Sequence, residues 1–145
     1  MFAQIVVPID GSELSKKVID TALFMARDGA TITFVHVVKN LPIYLASHLM
    51  ILGQQAENDY MEEARKYGKE LLEDACETAK NAGINCEKKL LFGDPANSIL
   101  SCAENGQSDV IIMGSRGLGD FKELMLGSVS HRVTQMAPCP VFIVK

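Results

Sequence analysis

From Asp109 to Val133 the chain reads DVIIMGSRGLGDFKELMLGSVSHRV, an apolar run followed by glycines at Gly114, Gly117, Gly119 and Gly127. A turn needs one or two glycines, so this spacing points to a second use. Glycines let main-chain N–H groups face a concavity and let a phosphate approach with no Cβ in the way. Gly127-Ser128 stands where a helix is expected to begin, and the unpaired N–H groups and dipole of a helix start favour an anion. Ser115 and Ser128 bring hydroxyl donors, Arg116 a charged one, and Lys122 lies in the same stretch. Asp10 follows the first apolar run; it suits a Mg²⁺ held on phosphates, or a hydrogen bond from ribose or base. Local chemistry leaves a second reading equally open, in which the glycines serve tight turns and Ser128 only caps a helix.

Two familiar phosphate patterns fail. A P-loop needs Lys and then Ser or Thr after its second glycine, whereas Asp120 and Phe121 follow Gly119. The dinucleotide fingerprint belongs after a first strand and needs a third glycine where Lys122 stands.

The elements that position this loop follow from periodicity. AQIVVPI, residues 3–9, is a β-branched run ending in a DGS turn. A helix follows, with Leu14, Val18, Ala22 and Met25 or Ala26 at helical spacing and Gly29 as its stop. Residues 31–38 read as a second strand. Within the apolar segment 39–56, the stretch from Leu41 to Leu52 is too short to span a bilayer, contains Ser47 and His48, and reads as a loop or short helix suited to a lid. A long helix over residues 57–81 is expected to bury Tyr60, Ala64, Tyr67, Leu71 and Ala75. Residues 84–93 form a third strand, and Asp94-Pro95 gives an N-cap and first-turn proline for the next helix. DVIIMG is a fourth strand, a helix runs from Ser128 to Met136, and PVFIVK, residues 140–145, is a fifth strand.

Alternating strands and helices predict one α/β domain over residues 1–145, with an open, mostly parallel sheet and helices on both faces. If the order is 3-2-1-4-5, the reversal lies between the first and fourth strands, and their exit loops face one crevice. Those loops are the PIDGS turn and the glycine loop.

Composition narrows the partners. Hydrophobic residues make up 48% and charged residues 22% of 145, with a net charge of −4. An acidic surface without a basic cluster argues against nucleic acid. The N-terminus lacks the basic region and long apolar core of a signal peptide, so a cytoplasmic location and no membrane partner are expected. The four cysteines, Cys76, Cys86, Cys102 and Cys139, form no CxxC pair and are expected to be reduced, structural thiols. The three histidines are dispersed, and no metal cluster follows from them.

The spacing G-x-x-G-x₉-G-S at Gly114, Gly117, Gly127 and Ser128 resembles the ATP-binding motif of the universal stress protein family. The resemblance covers nearly the whole chain: IVVPIDGSELS is similar to that family's first strand and turn, and FVHVV to its second strand. GDPANSIL is similar to a later helix start and PCPVFIVK to the closing strand. It implies the five-stranded fold above, with ATP between strands one and four. By resemblance, Pro8, Ile9 and Asp10 lie beside the nucleoside, the Val37 main chain meets the adenine, and Met113 and Gly114 border the ribose. Gly117, Gly127, Ser128 and Val129 would cradle the phosphates, with Ser115 and Arg116 at the rim. The resemblance also implies a homodimer paired through the last strand, in keeping with an apolar sheet edge that seeks a partner.

The function this implies is an ATP-dependent regulator or sensor in a stress response, with a protein partner that the sequence does not identify. The alternatives are a slow Mg²⁺-dependent ATP hydrolase and a protein that takes AMP or a cyclic nucleotide. Phosphoryl transfer needs a metal, positive charge and a positioned nucleophile; Asp10, Arg116 and Lys122 address the first two, and no residue answers to the third. Two related α/β readings fit less well. An ATP pyrophosphatase has a richer Gly/Ser turn and more substrate machinery; a phosphorelay receiver has paired acids at its first strand and a final helix.

Overall fold

Burial runs unbroken along the central strands, at Ile5, Val6 and Val7 and again from Val110 to Met113, so each must be covered on both sides. The computed structural model describes residues 1–117 and 125–145. The elements run β1 (Phe2–Pro8), α1 (Glu13–Met25), β2 (Ala26–Lys39), α2 (Ile43–Leu52), α3 (Gln54–Asn81), β3 (Asn85–Gly93), α4 (Pro95–Asn105), β4 (Val110–Gly114), α5 (Ser128–Met136) and β5 (Val141–Val144). They form a five-stranded sheet in the order β3-β2-β1-β4-β5, with every pair parallel, as expected. Gly119 and Lys122 lie outside the described residues.

One face of the sheet packs Ile5, Val7, Ile32, Phe34, Val110 and Ile112 against α1 and α3. The other packs Val6, Val35, Ile111 and Met113 against α4 and α5. Consecutive residues of one strand thus serve opposite cores. α4 starts as its sequence requires: the Asp94 carboxylate accepts from Asn97 N at 2.9 Å, with proline in the first turn. Arg132 of α5 reaches the same carboxylate at 3.6 Å.

Three expectations need correction. The first helix ends at Met25, and β2 begins at Ala26 instead of near Thr31. The register passes from Phe2↔Ala26 to Gln4↔Thr31, and Gly29 takes a φ of +77° within that irregularity, so it serves a bulge and not a helix stop. On α3 the buried residues are Gly68, Leu72, Ala75, Cys76 and Ala79, whereas Tyr60 and Tyr67 are 43% and 45% exposed. The inward stripe is thus set by close contact at Gly68: a Cβ there would lie 2.6 Å from Leu90 Cδ1 and 2.7 Å from His36 Cδ2. Finally, Cys76 of α3 and Cys86 of β3 form a disulfide, with Cα atoms 5.7 Å apart, where free thiols were expected. The turn after α3 folds β3 back beneath that helix and brings the two together. Cys102 and Cys139 are free. Burial pushes both thiols up, which keeps them protonated and unreactive.

Segment 39–56 contains α2, joined to α3 at Gly53, whose φ is +99°. Among the described residues no helix is long and apolar enough to cross a membrane.

Candidate functional site

The crevice opens where β1 stops short of its neighbours. β1 pairs with β2 only as far as Pro8↔Val35, and Ile9 N then donates to the Val35 carbonyl at 2.9 Å. β2 runs on to Lys39, held on its far side by β3. Pairing between β1 and β4 is confined to Ile5↔Val110 and Val6↔Ile111, while β4 continues to Gly114 along β5. This is the reversal point at which open α/β sheets take their ligands.

A cleft of about 460 Å³ fills the gap. Pro8, Ile9, Asp10, Val37, Met113, Gly114, Arg116, Gly117, Gly127, Ser128 and Val129, all singled out in the sequence, line it. Ser115 does not. It is buried, its N–H donates to Val144 at 2.8 Å, and its carbonyl accepts from Gly127 N at 2.7 Å and Ser130 Oγ at 2.8 Å. Ser115 thus ties β5 to the start of α5 and positions the loop from behind.

The Asp10 carboxylate is anchored. Oδ1 accepts from Ser12 N at 2.9 Å and Ser15 Oγ at 3.2 Å, and Ser15 Oγ accepts from Gly11 N at 3.2 Å. Oδ2 faces the glycine loop, where a Cβ on Gly117 would come within 2.5 Å of it. Gly117 therefore allows the two loops to meet.

At the other end of the loop Gly127, and not Ser128, is the N-cap of α5, and no side chain caps this helix. Ser128 and Val129 stand in its first turn, where N–H groups have no intrahelical acceptor. Beside them, among the described residues, Arg116 Nε is buried with no hydrogen-bond partner. A buried orphan donor is costly, and an anion in the cleft would relieve it. The donors and the absent Cβ atoms therefore suit a phosphate chain.

Several lining residues were not anticipated. Tyr67 donates its hydroxyl to the Asp10 carbonyl at 3.1 Å, and His36 Nδ1 pairs with the Ile9 carbonyl at 2.9 Å, which makes Nδ1 the protonated nitrogen. Their rings meet edge-on at 5.8 Å. Tyr60 adds a third ring to the wall. A glycine in mid-helix, next to Tyr67, was the available signal, because its usual cost there of about 1 kcal/mol implies a packing reason. Among the described residues no group of three His, Cys, Asp or Glu side chains is arranged to hold a metal.

Known proteins share this fold. The family model described as universal stress protein family matches residues 1–145. Universal stress protein YxiE of Bacillus subtilis is 36% identical over 148 aligned residues, covering 100% of both chains. A solved universal stress protein from Archaeoglobus fulgidus is 26% identical, with a TM-score of 0.73 over 100% of both chains. A solved universal stress protein in complex with cAMP is 25% identical, with a TM-score of 0.63 over 99% of this chain and 97% of the other.

Proposed function

The chain belongs to the universal stress protein family, and on that premise we propose that it is an ATP-binding regulator whose occupancy alters its contacts with other proteins. One observation carries the reading: Gly117, Gly127 and the uncapped start of α5 line a single cleft with the orphaned Arg116 Nε. A helix start and a guanidinium donor beside glycines that carry no Cβ suit a phosphate chain better than a neutral ligand.

In this reading the Val37 main chain, past the end of β1, meets the adenine edge. Pro8, Ile9 and Asp10 flank the nucleoside, and Met113 and Gly114 border the ribose. Gly117, Gly127, Ser128 and Val129 hold the phosphates, with Arg116 donating to them. Asp10 is the residue for a Mg²⁺ carried by the phosphates, where the ion would neutralise their charge. Asp10 Oδ1 is already held by Ser12 and Ser15, so the carboxylate is oriented before anything binds.

The cleft argues for binding over catalysis. Ser130 Oγ donates to the Ser115 and Gly127 carbonyls, His36 Nδ1 donates to the Ile9 carbonyl, and His36 Nε2 packs near Gly68 of α3. Neither is arranged to activate a nucleophile, so hydrolysis is slow or absent in this reading. The relative with cAMP favours a second version, in which a cyclic nucleotide takes the same cleft.

A homodimer through β5 completes the proposal. β5 ends the sheet order, with Phe142 44% exposed, whereas the opposite edge, β3, carries exposed Glu87 and Lys88, charges that discourage pairing. The location proposed is cytoplasmic.

The test is calorimetric titration of nucleotide-stripped protein with ATP, AMP and cAMP, each with and without Mg²⁺. About one ATP per chain, lost in Gly127→Val/Ser128→Ala with an unchanged circular dichroism spectrum, is expected. Equal binding by that folded variant would overturn the phosphate assignment, and a preference for cAMP would select the second version.

A further inference from the structure

Helix α2 presents a surface that nucleotide binding does not use. Leu49 is buried and Leu45 and Ala46 are half-buried, while Ile43, Tyr44, Met50, Ile51 and Leu52 are 87%, 78%, 79%, 83% and 62% exposed. From Asn40 to Ala56 there is no Asp, Glu, Lys or Arg. A helix on the surface of a domain ordinarily turns polar residues outward, and a contiguous apolar patch of several hundred Å² marks an interaction site. Leu52, two turns from Leu45, lies on the row of that residue; the other four side chains offer on the order of 500 Å², taking 150–250 Å² for an aromatic and somewhat less for the others. That is over half of the roughly 800 Å² per partner of a stable protein interface.

The arrangement of the patch identifies the occupant. Ile43 and Met50 are about two turns apart, as are Tyr44 and Ile51, so they form two rows on the side opposite Leu45 and Leu49. Ser47 lies midway, equidistant in sequence from Ile43 and Ile51 and from Tyr44 and Met50. Its hydroxyl is turned onto the Ile43 carbonyl at 2.8 Å, which leaves a small, satisfied residue at the centre. A patch symmetric about its middle is self-complementary under a two-fold axis: each residue at one end meets its counterpart at the other. No Asp, Glu, Lys or Arg in the segment opposes a second copy.

We propose that α2 pairs antiparallel with α2 of a second copy of this chain, across a two-fold axis passing close to Ser47. Ile43 and Tyr44 of each copy then face Met50 and Ile51 of the other. A lipid surface fits less well, because membrane-lying helices carry Lys or Arg on a polar face. α2 has none, and the chain is net acidic.

Sedimentation equilibrium tests the pairing across micromolar to millimolar protein. Met50→Glu/Ile51→Glu and Ile43→Lys/Tyr44→Lys are each expected to lose one association step, halving the molar mass relative to wild type. An equimolar mixture of the two should recover it, because the introduced carboxylates then face the introduced ammonium groups while the other half of the interface stays native. Ser47→Arg, which the axis sets against itself, should also lose the step. All these sites are exposed, and circular dichroism checks the fold. A wild-type mass equal to that of the folded variants would overturn the proposal. So would a mixture that fails to recover, or wild type that sediments with phosphatidylcholine–phosphatidylglycerol vesicles without self-associating.

Discussion

The Tyr67 hydroxyl donates to the main-chain carbonyl of Asp10 at 3.1 Å, and so fastens α3 to the loop that leaves β1. Gly11 sits directly beneath: with its φ of +80°, a Cβ there would fall 1.8 Å from the hydroxyl oxygen. The bond thus fixes the turn that carries the Asp10 carboxylate. Tyr67→Phe is expected to lower stability by about 0.5–1.5 kcal/mol, the net worth of one such bond. On the proposed function it also raises the dissociation constant for ATP, by up to about tenfold if a similar energy is lost in binding. Urea denaturation and calorimetry measure the two effects; an unchanged affinity would free Tyr67 of any part in the site.

Gly117 and Asp10 give a sharper probe of the loop contact. A Cβ at Gly117 collides with Asp10 Oδ2, at 2.5 Å, so Gly117→Val must push the carboxylate or the loop aside. ATP affinity should fall by tenfold or more, about 1.4 kcal/mol, with the far-ultraviolet circular dichroism unchanged, because Gly117 belongs to no regular element. Binding as tight as in wild type would mean that the loop contact has no bearing on the nucleotide.

The framework was legible because each strand in it satisfies a local rule. Unbroken apolar runs mark β1 and β4, Asp94-Pro95 starts α4 by capping chemistry, and Gly127-Ser128 marks the entry to α5. The cleft followed, since strand order decides which loops meet. What escaped was contact across elements. Helical spacing placed Tyr67 on the inward stripe, but Gly68 brings α3 so close to β2 that Tyr67 is turned toward the Asp10 loop. Cys76 and Cys86 meet because β3 folds back under α3, which no spacing rule encodes. Arg116 was legible as a cation, but burial of its Nε depends on the folded loop.

The disulfide bears on stability. Cys76 and Cys86 are separated by 10 residues, and closing so short a loop in the unfolded chain is worth about 2–3 kcal/mol by the chain-entropy estimate. Reduction with dithiothreitol is expected to lower the stability measured in urea by about that much. Alkylation under denaturing, non-reducing conditions should label Cys102 and Cys139 alone. Labelling of all four cysteines in air-oxidised protein would contradict the pairing.

Asp109 predicts a pH dependence. Its carboxylate accepts from Ala3 N and Gln4 N, both at 2.9 Å, and these main-chain bonds, Gln4 first, hold its pKa below the usual carboxylate value. A lowered native pKa stabilises the fold above the unfolded value near 3.9, and that contribution is lost as the pH falls through the native value. Asp109→Asn is therefore expected to melt below wild type at pH 7, with the gap closing as the pH drops under about 4. A gap of constant size between pH 7 and pH 3 would show that the charge on Asp109 contributes nothing.

Gly68 sets how closely α3 approaches the sheet, and two effects of opposite sign compete there. Alanine in a helix interior is favoured over glycine by about 1 kcal/mol. Against that, the added methyl meets Leu90 Cδ1 at 2.6 Å and His36 Cδ2 at 2.7 Å. Leu90 has a flexible end that yields at little cost. His36 does not, because its ring is buried and its Nδ1 is fixed on the Ile9 carbonyl. Overpacking against a fixed group costs about 1–3 kcal/mol, so the clash outweighs the propensity and Gly68→Ala should be destabilising. If α3 moves outward to make room, Tyr67 withdraws from Asp10, and ATP binding weakens along with stability. His36→Ala in the same chain removes the obstacle and leaves only the propensity gain. The added alanine at position 68 should then stabilise the His36→Ala background while destabilising the wild type. A double-mutant cycle in urea measures that change of sign, and additive effects would show that His36 does not set the distance.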